Sequence, residues 1–455
     1  MRLRAALAAA SSVLLIAPVS ALAGPAPTPY SADPVAEGIG KDLVPVAHIA
    51  YKGGTDLEFT TIKGRDYAIA PSENAHGGTG ALHIIDITNP ERIREVGTLP
   101  CNVTQNDVQV RGTLVLMGVD GGAKDDVCYQ QARVEKPSKG MFVIDIKNPR
   151  KPRAIGFVPI ATGVHNQTWH PGGRYVYISD SELTPDNTQP VDAKTGRIQI
   201  VDLANPRKPV QVGQLGLPTG LSSHDITFDG KGDRAFSAAL TQTVILDTSS
   251  PAEPVIEHVI IDPSINISHG ADPTPDGKYL LVTDEQAGAA ANGVCNVGGV
   301  HVYDVSLPVP VKVGFYGFNP ANSATATTNS GELTCTAHVL DYAPDGKSFS
   351  NAGYAAGVRI VDTKSVIGVP KELAYFTPVD ASTWSAKTYK SQKYLFANDL
   401  NRGFDVYRYS PGQGVVDTRS AKTRSRLSFR TPGAGTVARG EYCFTEAASG
   451  PDVAA

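Results

Sequence analysis

After its first two dozen residues, the chain has no stretch approaching the roughly 20 consecutive apolar residues that cross a bilayer as a helix. It also has little net charge. Against 45 acidic side chains stand 41 Lys and Arg, a formal balance of −4, which gives no reason to expect a nucleic-acid or anionic-membrane partner. No G-x-S-x-G, phosphate-cradling P-loop or G-x-G-x-x-G stands between a strand and a helix, so no ready-made nucleophile elbow or nucleotide fingerprint is present. Only five Cys occur, none beside a His at metal-ligand spacing, which leaves disulfides as their expected use in an oxidising compartment. Cys101 and Cys128 could close one loop region, Cys295 and Cys335 could clip two neighbouring loops, and Cys443 is left over; other pairings stay open.

The N-terminus argues for that compartment. Met1-Arg2-Leu3-Arg4, an apolar stretch from Ala5 to Val19 and Ala21-Leu22-Ala23 have the order of a secretory signal peptide, with cleavage expected after Ala23. No Cys follows the expected cut, so a lipid anchor there is not expected. A linker over 24–41 would follow, then a folded region over 42–410, then a basic, Ser- and Gly-rich tail over 411–455. The expected mature protein is secreted, soluble and monomeric.

What the chain has in plenty is turn residues, 45 Gly and 33 Pro, and a repeat. Leu82–Asp86, Met141–Asp145, Ile198–Asp202, Thr243–Asp247, Val300–Asp304 and Val358–Asp362 are short aliphatic runs ending in Asp; Phe404–Arg408 is a weaker seventh. Successive Asp positions lie 59, 57, 45, 57 and 58 residues apart, and the step to Arg408 is 46. A period near 50 means one structural unit repeated, each too small to bury its apolar face alone. The sixth unit reads as four strands: Thr336–Tyr342, a turn at Pro344-Asp345-Gly346-Lys347, Phe349–Tyr354, Val358–Asp362 and Lys371–Phe376. Asn89-Pro90, Asn148-Pro149 and Asn205-Pro206 end third strands, because proline denies the ladder a donor.

Four antiparallel strands taken seven times predict an all-β, seven-bladed β-propeller. The seventh unit lacks its own fourth strand after Tyr409, and Leu43–Ile49 is expected to supply it, closing the ring and removing both open edges. The aliphatic-Asp runs with Asn-Pro, together with Ser268-His269-Gly270, Asp276-Gly277-Lys278-Tyr279 and Thr283-Asp284-Glu285, resemble the LVIVD-repeat extracellular propellers, in particular those of the choice-of-anchor B type. The resemblance covers about residues 42–410 and implies a secreted or surface propeller without implying a reaction. The chain departs from the pattern at Thr248–Pro251, Thr363–Val366 and Arg408.

Propeller channels are lined by first strands. Aligning the seven puts Thr55, Asn106, His165, His224, His269, His338 and Trp384 at one level, so four consecutive blades offer imidazole to the axis. Imidazole in that number suits copper, iron or zinc, with Thr55, Asn106 and Trp384 on the open side toward a ligand. Second strands end on the same face in Glu73, Asp120, Asp180-Ser181-Glu182, Asp284-Glu285 and Asp399. Of these, Asp180, Glu182, Asp284 and Glu285 are the candidates for proton handling or for orienting imidazole N–H groups. The loops 121–140, 183–197, 286–299 and 319–335 would form a rim over that mouth. His76 is a possible further ligand, whereas His83, His258 and His301 read as sheet residues and His170 as a turn residue. Duplication alone also produces a repeated residue, so two other readings stand. One is a His-lined pocket for a polar or anionic ligand; the other is a structural ring with no ligand on the axis. With a metal the protein could be a metal-dependent extracellular enzyme acting on a small molecule; without catalysis it would be a binding propeller whose rim loops hold a glycan, peptide or cell-envelope partner.

Overall fold

The computed structural model describes residues 33–121, 126–180, 196–218, 222–285, 298–318 and 336–428. Seven antiparallel sheets follow one another around a ring, and the strand order within each matches the repeat. Blade one, for example, runs Glu58–Ile62, Arg65–Ser72, Ala81–Asp86 and Arg94–Pro100 from the axis outward. Blade seven is completed from the other end of the chain. Leu43–Ala50 pairs antiparallel with Gly403–Tyr409, as expected, with Leu43 opposite Tyr409 and Ile49 opposite Phe404. The three departures from the repeat pattern do not interrupt the ring. Arg408, where other blades have Asp, reaches Glu91 of blade one instead.

The aliphatic runs are third strands, and their two faces serve two neighbours. Phe142 and Ile144 of blade two pack with Leu82 and Ile84 of blade one, whereas Met141 and Val143 pack with Val176, Ile178 and Val201 of blade three. Side chains alternate across a strand, so a run apolar at every position is what burial on both faces requires. The hydrophobic core is therefore a series of layers between blades.

The repeated Asp has a local cause. Its side chain accepts the backbone N–H two residues on, at 2.8 Å from Lys147 to Asp145, 2.7 Å from Ala204 to Asp202, 2.9 Å from Ser249 to Asp247 and 3.0 Å from Ser306 to Asp304. This Asx turn folds the chain back into the fourth strand. The fourth strand of each blade then carries a bulge, for example between Ala154 and Gly156, and in blade seven between Pro45 and Ala47. One extra residue per fourth strand increases local twist. A glycine follows the bulge in several blades because the next blade's turn lies against it. A Cβ on Gly97 would stand 2.1 Å from the Pro149 carbonyl oxygen, and one on Gly156 2.3 Å from that of Pro206.

Two segments expected to lie outside the ring join it. Gly38–Lys41, in the expected linker, pairs with Glu372–Pro378 of blade six, and Val415–Asp417, in the expected tail, pairs with Gly38–Lys41, making a six-stranded sheet. They cover an edge that would otherwise present unpaired backbone groups. Glycine permits the approach, since a Cβ on Gly38 would stand 2.3 Å from the Thr377 oxygen. Cys101 and Cys128 are disulfide-bonded, tying blade one to a short helix, Val127–Ala132, whose N-cap is Asp126. Cys295, Cys335, Cys443, the signal segment, Glu182 and most of the other rim loops lie outside the described residues.

Candidate metal centre on the propeller axis

Each first strand enters the channel from the same face, and the residue at its entrance is fixed by backbone pairing to the end of the second strand. The His165 N–H donates to Ser179 O, that of His224 to Ala238 O and that of His338 to Ala352 O. The seven aligned positions are all at most 4 % exposed. The four imidazoles follow each other as an arc, with ring centroids 4.2, 4.1 and 4.1 Å apart from His165 through His224 and His269 to His338. Trp384 continues the arc, 4.7 Å from His338. On the far side Thr55 Oγ1 donates to Asn106 Oδ1 at 2.8 Å, and Asn106 Nδ2 to Ser72 O. Thr55 and Asn106 are thus bonded to each other across the blade boundary.

Within this arc, donor atoms of His224, His269 and Glu285 all lie within 4.8 Å of one another, and all three residues are buried. Such a cluster could hold a metal ion. Glu285 stands one residue beyond the second strand of blade five, Tyr279–Asp284. Its Oε2 is 3.8 Å from His269 Nε2, its Oε1 is 3.7 Å from His338 Nε2, and Tyr354 donates its hydroxyl to Oε1. Glu285, expected from the sequence to handle protons or to orient imidazole N–H groups, stands within the cluster that could hold a metal. His165 Nε2 is 3.0 Å from His224 Nε2, and Asp120 Oδ2 is 3.1 Å from His165 Nδ1. Asp120 thereby fixes the orientation of that ring.

The other two described carboxylates are committed elsewhere. Asp284 Oδ1 accepts the backbone N–H groups of Asn266 and Ile267. Asp180 Oδ2 is 3.3 Å from Gln199 Nε2 and 3.4 Å from Arg197 Nε. His76 contacts Glu73 and lies 6.4 Å, ring to ring, from Trp384, at the edge of the arc. His83 and His301 sit in third strands as read, and His258 in a fourth. His170 Nε2 meets Gly232 O at 2.9 Å.

Burial sets the protonation of the arc. Away from water, and beside other imidazoles, His224 and His269 are held well below the usual imidazole range. Burial, with a smaller contribution from His165, outweighs the Trp384 carbonyl that accepts from His338 and brings His338 down to about 3. Three neutral rings offer lone pairs at neutral pH, the state that binds a metal. Among the described residues, His224 Nδ1 and His269 Nδ1 have no hydrogen-bond partner of normal geometry.

Sequence reasoning missed a second level. One and three residues after the entrance position, side chains turn back into the channel and line a cavity of about 170 Å3 that also touches His224, His269 and His338. Asp56, Asp107 and Asp225 come from the first of these positions, and Glu58, Asp272, Asp341 and Lys387 from the second. Lys387 Nζ lies 3.1 Å from Asp56 and 3.0 Å from Glu58. One ammonium cannot balance so many carboxylates, and burial pushes Asp225 and Asp341 up to about 7 and Asp107 and Asp272 well above the usual carboxylate range. The alignment that found the histidines already held this signal at fixed offsets. Tyr354, from the loop between the second and third strands of blade six, had no such signal.

No family model matches the chain, and no curated protein matches it. Among solved structures it is similar to hydrazine synthase of Kuenenia stuttgartiensis, at 12 % identity and a TM-score of 0.55, over 80 % of this chain and 97 % of that one. It is also similar to the Cps50 (Swd1) β-propeller domain of Myceliophteria thermophila, at 13 % identity and a TM-score of 0.52, over 79 % of this chain and 98 % of that one. At such identities the likeness establishes the fold, a seven-bladed β-propeller, and leaves function to the site.

Proposed function

We propose that this chain is a secreted, metal-binding propeller of the LVIVD-repeat kind, with a transition-metal ion on its axis held by His224, His269 and Glu285. The observation that carries this reading is the convergence of two neutral imidazoles and one carboxylate in a buried cluster. Two imidazoles and a carboxylate are the donor set of open zinc sites, in which a further position is left for water or substrate. Copper and iron accept the same donors. His165 and His338 flank the cluster and complete a four-imidazole wall.

The carboxylate level suits proton traffic. Asp225 and Asp341, titrating near neutrality beside His224 and His338, can both give and take protons at physiological pH. A small polar molecule reaching the ion would meet them. Zinc at the site would suit Lewis-acid chemistry and copper or iron electron transfer, so the metal selects the reaction class.

Elemental analysis of the purified protein, beside His269→Ala and Glu285→Gln variants, tests this reading. Near-stoichiometric zinc, copper or iron that falls at least tenfold in both variants is the expected result. Folded wild type that takes up none of the three ions after reloading would overturn it.

A further inference from the structure

The face opposite the histidines carries the turns between third and fourth strands. In blades two to five these are built alike on the capping Asp. Their charges are not alike. Blade two has Lys147-Asn148-Pro149-Arg150-Lys151-Pro152-Arg153 and blade three Asn205-Pro206-Arg207-Lys208-Pro209, where blade four has Ser249-Ser250-Pro251-Ala252-Glu253-Pro254 and blade five Ser306-Leu307-Pro308-Val309-Pro310. The turn therefore forms without basic residues, and its local structure does not call for them in blades two and three.

These basic turns meet the first turn of blade one and enclose an open groove of about 730 Å3. Lys63, Arg65, Lys147, Lys151, Arg153 and Arg207 line it, against one carboxylate, Asp145. Asp145 is occupied with the Lys147 N–H. Among the described residues only Arg65 of the six cations is ion-paired, to Asp86. A smaller hollow of about 190 Å3 shares Arg65 and Tyr67 and adds Arg94 and Arg150; Asp86 also lines it, beside Arg65 and 3.8 Å from Arg94. Gathering like charges in one groove costs folding stability unless something anionic fills it, and the near-zero charge of the whole chain conceals the concentration.

We propose that this groove binds a linear anionic polysaccharide, one bearing carboxylate or sulfate groups along its length. Arg and Lys spread over three blades match oxyanions repeated along an extended chain. Single-stranded nucleic acid would use aromatic platforms for its bases, and the one aromatic residue of the groove, Tyr67, is only 6 % exposed. A flat bilayer surface matches less well, because the charges line a recess between turns.

The test is titration calorimetry of the full chain at low and physiological salt with a heparin octasaccharide and an oligogalacturonate. A single-stranded DNA 20-mer and phosphatidylglycerol vesicles serve as competing probes. The variant Lys147→Ser/Lys151→Glu/Arg207→Ala takes its residues from the same positions of blade four, Ser249, Glu253 and Ala252, so it is expected to fold and keep its metal content. Binding of either oligosaccharide, weakened at least tenfold by these changes and by added salt, is the expected result. Equal affinity of the variant, no oligosaccharide binding at low salt, or tighter binding to DNA or vesicles would each overturn the proposal.

Discussion

A metal site made of ordinary histidines fails in mild acid; this one is expected to hold. An imidazole of pKa about 6.5 is about 91 % neutral at pH 7.5 and about 9 % neutral at pH 5.5, so a site using two of them loses roughly 100-fold in affinity over that interval. Here burial and the neighbouring imidazoles hold His224 and His269 well below that value, and His338 is down at about 3. The rings are already neutral at pH 5.5 and have no proton to lose to the incoming ion. Zinc affinity is therefore expected to change less than about threefold between pH 7.5 and 5.5, in place of the roughly 100-fold of ordinary histidines. Calorimetric titration in two buffers of different ionisation enthalpy measures both the affinity and the protons released. A hundredfold loss, with about two protons released per ion at pH 5.5, would refute the argument that burial prepares these rings.

Two further outcomes follow from the packing and the channel. Gly156→Ala should cost about 1–3 kcal/mol in urea denaturation, because its Cβ would meet the Pro206 carbonyl oxygen at 2.3 Å; Gly213→Ala, whose Cβ meets Ala252 O at 3.3 Å, should be far milder. Asp225→Asn should stabilise the protein increasingly with pH. The folded carboxyl titrates near 7, raised by burial from the ordinary 3.8, so between those values the folded state holds a proton the unfolded chain has lost. That contribution is present below about pH 4 and gone above 7. The stability of the variant relative to the wild type, followed by denaturation from pH 4 to 8, should rise by at most about 4 kcal/mol and then level off.

The ring was legible because it rests on residues whose role is local. The capping Asp, the doubly buried aliphatic run and the Asn-Pro stop act within a few positions, and each recurs. The imidazole arc was legible for the same reason, since backbone pairing fixes where a first strand enters the channel. Glu285 could be named but not placed in the cluster, because a carboxylate one residue past a strand can turn to the axis or to its own loop. Asp284 beside it does the second. Strands Gly38–Lys41 and Val415–Asp417 escaped notice since each is short, glycine-bearing or isolated, and is ordered by an edge that belongs to blade six. The basic groove was hidden because three blades contribute to it, and only their adjacency adds the charges together.

The clasp of blade seven has a temporal consequence. His48 on the closing strand contacts Phe404, 356 positions later. During synthesis the first six blades can be made in order, but the ring stays an open arc until its last strands leave the ribosome. Joining ends so far apart costs only slightly more entropy than joining them at half the distance, so the delay is one of sequence order more than of free energy. Until closure, the half-built propeller bares the apolar blade faces that later pack together as blades one and seven, and it is over that interval that a chaperone would find it still pliable.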